Sequence, residues 1–319
     1  MLVFLWLVLF VISLIILVQS ANWFIGASEK IAIFFKISPF IIGVTVIALG
    51  TSLPELLTSL SAVFKNNTEI VAANVIGSNI ANILLVVGLA AILGRGLLIK
   101  RNIIDLDLPL LFLTSIIFSF IVLDGKVTFY EGIVLLITFL IYIFYTIRNR
   151  KEEGEGKELE IEERSCPKKE KIHFSTIVRF LIGAGGLILG ARYTIESIVN
   201  LSQLLNIATS VLAITAVAIG TSLPELVVSV SAAMKKKYEI AVGNAIGSNV
   251  FNILMVMGVP ALFKNLTVDA VTISVGFPFF AVATMVFVVS GISKKINFWE
   301  GMMFVIIYCL FIAKLFNIF

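Results

Sequence analysis

One segment of this 319-residue chain occurs twice. With a single ungapped offset of 170 residues, Ile37–Gly88 aligns with Ile207–Gly258, and 26 of the 52 positions are identical. The identities gather in two blocks. One is GTSLPEL, at Gly50–Leu56 and Gly220–Leu226; the other is N-x-I-G-S-N-x-x-N-I-L, at Asn74–Leu84 and Asn244–Leu254. A fixed offset at this density marks internal duplication, so the two halves must share one fold. Each copy also carries one carboxylate, Glu55 or Glu225, in the middle of a strongly apolar stretch.

The duplicated segments lie in a chain that is 59% hydrophobic and only 14% charged, with mean hydropathy +1.08. Apolar runs of about 20 residues, the length that crosses a bilayer as a helix, recur throughout. They are too continuous for the alternating strands of an outer-membrane barrel. The expected fold is an all-α polytopic membrane protein with ten transmembrane helices, near 2–21, 39–64, 70–94, 106–124, 129–148, 174–198, 208–233, 240–263, 271–291 and 297–317. Five helices per half make the second half enter the membrane upside down, which gives two inverted-topology repeats. The first repeat spans 1–148 with its motif region at 43–88, and the second spans 173–319 with its motif region at 213–258. The mixed-charge stretch 149–172 links them. Met1–Val18 lacks the positive n-region of a signal peptide and has a counterpart at the start of the second half, so it is read as a membrane helix. Lys and Arg concentrate in the linker and in the loops on its side, including Lys30, Arg95, Arg101 and Lys235–Lys237. By the positive-inside rule the linker is cytoplasmic and both termini are extracellular, in the plasma membrane. That distribution explains the formal charge of +4 without a nucleic-acid partner. Cys166 and Cys309 form no metal or disulfide pattern, and the single His173 sits at a loop edge.

The repeated motifs carry the chemistry. Pro54 has no N–H, and its ring clashes with the carbonyl four residues back, at Gly50. Helices 2 and 7 are therefore expected to break near mid-membrane, where irregular backbone survives only in a cavity or inside protein. The break gathers carbonyls near Ala48 and Gly50, the Thr51 and Ser52 hydroxyls and the Glu55 carboxylate. The second copy offers Ala218, Gly220, Thr221, Ser222 and Glu225. In the following block Ser78 and Asn82 share a helix face at i,i+4, as do Ser248 and Asn252. For Asn74, Asn79, Asn244 and Asn249, small-residue helix packing of the GxxxG kind, with Ser and Asn as interhelical glue, is the alternative to a role in the site.

Carboxylate, carbonyl, hydroxyl and amide oxygens suit hard cations such as Ca2+ and Na+ rather than Zn2+ or Cu, and Mg2+ ranks lower because it demands a tight octahedron. Two buried carboxylates repel one another and need a divalent ion, several monovalent ions or protons. An empty site is then a pair of uncompensated buried charges. One site loaded alternately by rival ions makes an antiporter.

At these residues the chain resembles the calcium/cation antiporter superfamily, specifically its sodium/calcium exchanger branch, on the strength of the paired GTSLPE and GSN-x-x-N motifs. The resemblance covers nearly the whole chain. It implies that Glu55 and Glu225 are the principal Ca2+ and Na+ ligands, and that Ala48, Thr51, Ser52, Ala218, Thr221 and Ser222 line the Na+ sites. It further implies that Ser78, Asn82, Ser248 and Asn252 complete the set, and that the first helix of each half slides across the core. Many sodium-coupled relatives have an aspartate in one repeat where this chain has Asn82 and Asn252. That departure argues against a potassium-dependent exchanger and leaves H+/Ca2+ exchange as the alternative coupling. A cation channel is the reading from another class, since polar rings at a broken helix also make filters. An enzyme is not expected, because the serines of the apolar segments lack a His or Lys partner, and no prosthetic group is implied. The partners are Ca2+, Na+ or H+, and the lipid bilayer. Asp105, Asp107, Asp124, Glu131, Asp269 and Glu300 fall near helix ends, where capping accounts for them.

Overall fold

The computed structural model of the chain describes residues 2–35, 39–99, 107–152, 173–204, 222–316 and 318. The architecture is all-helical. In chain order the helices are α1 (Leu2–Phe35), α2 (39–51), α3 (Leu53–Phe64), α4 (Glu69–Leu93), α5 (Leu108–Val122), α6 (Phe129–Glu152), α7 (Phe174–Leu204), α8 (Leu223–Met234), α9 (Tyr238–Ala261), α10 (Thr272–Ile292) and α11 (Phe298–Leu315). Among the described residues, seven helices are long and apolar enough to cross a membrane, or eight if the bent pair α2–α3 counts as one span. α5 and α8 are shorter apolar helices.

Burial sorts these helices into layers. In their most apolar stretches α4 is 83% buried and α9 94%, whereas α1 and α7 are 17% and 28% buried. A helix apolar all round and buried all round is a core element, and one that stays apolar outside faces lipid. The center of the molecule is therefore the α4–α9 pair. Small residues let the backbones close on it, as in membrane helix packing generally. A Cβ added at Gly247 in α9 would lie within 2.7 Å of Ala48 Cβ and Val44 Cα in α2. α1 and α7 run antiparallel along much of their lengths on the outside. Thr194 Oγ1 donates to Ser13 Oγ at 2.9 Å near one end, and Phe24 stacks on Phe180 at 4.8 Å further along.

Two short antiparallel ladders join the halves. Leu97–Leu98 pairs with Lys295–Ile296, and Lys126–Val127 pairs with Leu266–Thr267. The pair Leu97↔Ile296, shifted by the repeat offset, becomes the pair Thr267↔Lys126. A near-equivalent exchange, one residue out of step in α6 and α11, relates the glycine contacts. A Cβ at Gly88 would meet the Gly301 carbonyl at 3.0 Å, and one at Gly258 would meet the Gly132 carbonyl at 3.2 Å. The duplication seen in the motif regions thus extends to the loops and to the packing of α4 on α11 and of α9 on α6.

Three element boundaries differ from the sequence expectation. α1 continues to Phe35 because Glu29 and Lys30 continue the helix beyond its apolar run. α6 continues to Glu152, so the linker begins later than Asn149; residues 153–172 lie outside the described residues. Of the expected helix 208–233, only α8 is described. Of the acids placed at helix ends, Asp269 and Glu300 behave as caps, whereas Asp107 stands at the N-cap of α5 without a side-chain cap bond and Asp105 lies outside the described residues. Asp269 accepts from the Val271 and Thr272 amides at 2.9 Å each, and Glu300 closes a capping box with Asn297.

Candidate ion-binding site

The break in helix 2 is sharp. α2 and α3 meet at an angle of 47° across the single residue Ser52, which takes φ −90°, ψ 5°. Ser52 N–H still donates to the Ala48 carbonyl at 2.9 Å, so the ladder runs unbroken up to the bend. It fails two residues on, because Pro54 has no N–H to return to the Gly50 carbonyl. Pro54 instead stands in the first turn of α3, where its missing donor costs nothing. Ser222 repeats the geometry with φ −86°, ψ 6° before Pro224 in α8. The consequence is that Glu55 and Glu225 each occupy the first turn of a helix that begins inside the protein. A helix N-terminus carries partial positive charge and favors a carboxylate there.

Both glutamates are fully buried, as are Ser52, Thr51, Asn82 and Asn252. The motifs of the two halves interlock at this point. Ser52 Oγ, from the first copy, donates to Glu225 Oε1, from the second, at 2.8 Å. Thr51 Oγ1 lies 3.2 Å from Asn244 Oδ1, to which it donates, and 3.4 Å from Ser248 Oγ. It also donates to the Ala48 carbonyl at 3.2 Å. Ala48, Thr51 and Ser52 of one repeat therefore form one buried polar cluster with Glu225 and Ser248 of the other. Ser222 is buried, and its Oγ makes no hydrogen bond among the described residues. Ser78 is buried and donates to Asn74 Oδ1 at 3.5 Å. Ala218 and Thr221 lie outside the described residues.

Asn82 and Asn252 stand at equivalent points, where α-helical geometry gives way to π-helix over Ala81–Val87 and Asn252–Val256. Such π-bulges are frequent at functional sites. Among the described residues neither Asn82 nor Asn252 has a hydrogen-bond partner for its Oδ1 or Nδ2, although both side chains are fully buried. Buried polar atoms without partners are rare and call for a ligand or a water. Glu225 Oε2 shares this condition. The donor set is oxygen-rich, buried and underused by the protein itself, which is what a hard cation requires.

Two further pairs, missed in the motif reading, hold the glutamates in place. Asn244 Nδ2 donates to the Glu225 carbonyl at 3.4 Å and to Ser229 Oγ at 2.9 Å; Asn74 Nδ2 donates to the Glu55 carbonyl at 3.3 Å and to Ser59 Oγ at 3.1 Å. These asparagines do more than fill space. Each ties the backbone of a glutamate to the neighboring core helix. Their signal was present in the sequence as identity at both 74/244 and 59/229. Asn79 and Asn249 fit the packing expectation better, each donating back to the carbonyl four residues earlier. From outside, the fully buried Phe24 of α1 sits over the break. A Cβ on Gly50 would lie 2.8 Å from its ring.

The chain matches the family model for sodium/calcium exchanger protein over residues 5–148 and 175–317. An uncharacterized membrane protein of Methanocaldococcus jannaschii is 36% identical over 309 residues, covering 96% of each chain. The sodium/calcium exchanger MaX1 of Methanosarcina acetivorans is 29% identical over 342 residues, covering 96% of this chain and 97% of that one. Among solved structures, the sodium-calcium exchanger NCX_Mj soaked with zero Na+ and Ca2+ superposes with a TM-score of 0.83 at 34% identity, over 98% of this chain and 99% of that chain. Family model, relatives and structure agree over both halves, and this chain belongs to the sodium/calcium exchanger family of membrane antiporters.

Proposed function

We propose that the protein exchanges Ca2+ for Na+ across the membrane by alternating access at one site shared between its two repeats. Glu55 and Glu225 are the charged ligands. Ser52, Thr51, Ala48, Ser78 and Asn82 complete the first half of the site, and Ser222, Thr221, Ala218, Ser248 and Asn252 the second. The hydrogen bond from Ser52 to Glu225 is the observation that carries this reading, because it joins the first motif to the carboxylate of the second inside the protein. A site built from both halves is competent only when both are in register, which couples occupancy to the arrangement of the repeats.

The fold is read as ten membrane helices in two inverted repeats. Same-side contacts support it. Lys235 Nζ donates to Asn22 Oδ1 at 2.5 Å and Lys237 pairs with Glu29, which puts the α8–α9 turn beside the polar end of α1 on the linker side. Thr68 and Thr267 hydroxyls meet at 2.9 Å on the other face. The linker is cytoplasmic and the termini extracellular in this reading, in the plasma membrane. α1 and α7, antiparallel and outside the buried α4–α9 pair, are the elements that slide, and Phe24 is the contact through which α1 covers or uncovers the break.

Coupling follows from charge. An unloaded site leaves two carboxylates buried and unneutralized, a state strongly disfavored in low dielectric. Loading by Ca2+ or by Na+ removes that barrier, so only loaded forms cross. The relatives' names favor sodium over protons as the counter-ion. Purified protein in vesicles is expected to accumulate 45Ca2+ under an outward Na+ gradient at equal pH. Uptake driven by a pH gradient alone would overturn the sodium assignment, and uptake that needs no counter-ion gradient would indicate a channel.

A further inference from the structure

We propose that Asn244 is a positioning residue of the ion site, whose carboxamide carries the state of the Thr51 hydroxyl in the first motif to the backbone of Glu225 in the second. The inference rests on the shared-site reading above and concerns how one half of the site registers that the other is loaded.

Asn244 is fully buried in α9, and both ends of its amide are committed to protein. Nδ2 donates to the Glu225 carbonyl at 3.4 Å and to Ser229 Oγ at 2.9 Å, and Oδ1 accepts from Thr51 Oγ1 at 3.2 Å. The surrounding groups fix which way the amide faces. The Glu225 carbonyl can only accept, and the Ser229 hydroxyl already donates its one proton to the Ala241 carbonyl at 3.4 Å. Both therefore need the nitrogen, which leaves the oxygen for Thr51. Asn252, about two turns further along the same helix, is the contrast. Its amide atoms have no partner among the described residues and stay open to an ion. Asn252 suits a ligand, and Asn244 suits a relay.

Thr51 supplies what is relayed. Its single hydroxyl proton has two acceptors at the same distance, the Ala48 carbonyl and Asn244 Oδ1, each at 3.2 Å. One proton satisfies only one of them well. Ser248 Oγ, at 3.4 Å, has a proton of its own to offer Thr51. A cation held by the Ala48 carbonyl and the Thr51 oxygen repels the hydroxyl proton and takes up lone pairs of that carbonyl. The proton then turns to Asn244. An amide that accepts a stronger bond at its oxygen donates more strongly from its nitrogen, because hydrogen bonds in a chain polarize one another. Loading the first motif thus tightens the hold on the first turn of α8, where Glu225 stands.

The test is a double-mutant cycle on the half-saturating Na+ concentration for Na+-driven 45Ca2+ flux in vesicles, using Thr51→Val, Asn244→Ala and the pair. Asn244→Ala is expected to raise half-saturating Na+ about tenfold, with the maximal rate per folded transporter little changed. An asparagine with a merely structural role would lower thermal stability and leave half-saturation where it was. Because the two residues act through one bond, the pair is expected to fall short of the product of the single effects by about threefold or more. Thr51→Ser, which keeps the hydroxyl, is expected to restore the coupling to Asn244. A folded Asn244→Ala protein with unchanged half-saturation, or single effects that simply multiply, would overturn the inference while leaving exchange itself intact. Absence of Na+-driven flux in the unmodified protein would instead overturn the exchange reading, and the relay with it. Should Asn244→Ala fail to fold or Thr51→Val be silent, Ser229→Ala decides alone. It removes only the hydroxyl that anchors the amide and is expected to raise half-saturating Na+ about threefold; an unchanged value would overturn the relay.

Discussion

Ser52 performs two tasks with one residue. Its backbone is the bend between α2 and α3, and its hydroxyl donates across the repeat boundary to Glu225. A hydrogen bond to a charged group is worth about 1.5–3 kcal/mol, so Ser52→Ala is expected to weaken half-saturation by Ca2+ about ten- to a hundredfold while the protein remains folded. Concentration-dependent 45Ca2+ uptake measures this, and an unchanged half-saturation would show that the bond does not persist in the ion-loaded protein. Much of this site was readable in advance. Glu55 and Glu225 stand out because a carboxylate inside an apolar run is costly, and Pro54 announces the break because it has no N–H. The clamps from Asn74 and Asn244 were only half readable: identity at 74/244 and 59/229 marks the positions, but an asparagine in a small-residue stretch serves packing or bonding equally well, and only coordinates show its amide reaching a glutamate carbonyl.

At the scale of elements, small residues decide how closely the helices approach. Gly247 lets α2 rest on α9, with no room for a Cβ against Val44 and Ala48. Gly26 in α1 has nothing among the described residues within 4 Å of where its Cβ would be. Gly247→Val is accordingly expected to destabilize the protein by several kcal/mol through overpacking and displaced backbone, whereas Gly26→Ala is expected to be silent or slightly stabilizing through helix propensity. Thermal unfolding in detergent compares them. Equal effects would mean that the α2–α9 contact yields easily. The all-helical character and the long apolar spans among the described residues followed from apolar runs alone. The π-helical turns at Asn82 and Asn252 did not, since a one-residue change in hydrogen-bond step leaves no mark in hydrophobic periodicity. The two-residue ladders between halves were equally silent, being too short to show strand alternation.

Across the whole molecule, duplication is the organizing fact. The offset that aligns the motifs also exchanges the two ladders and the two asparagine clamps, and, with a one-residue shift in the outer helices, the two glycine contacts. In the proposed reading one site made from both halves is the functional result, and each motif supplies one carboxylate. The direct measurement is equilibrium Ca2+ binding to purified protein in the absence of Na+, for the natural chain and for Glu55→Gln and Glu225→Gln. A shared site predicts one Ca2+ per chain and loss of binding in either variant, with folding retained. Two independent ions per chain, or full-affinity binding that survives in either single variant, would contradict it.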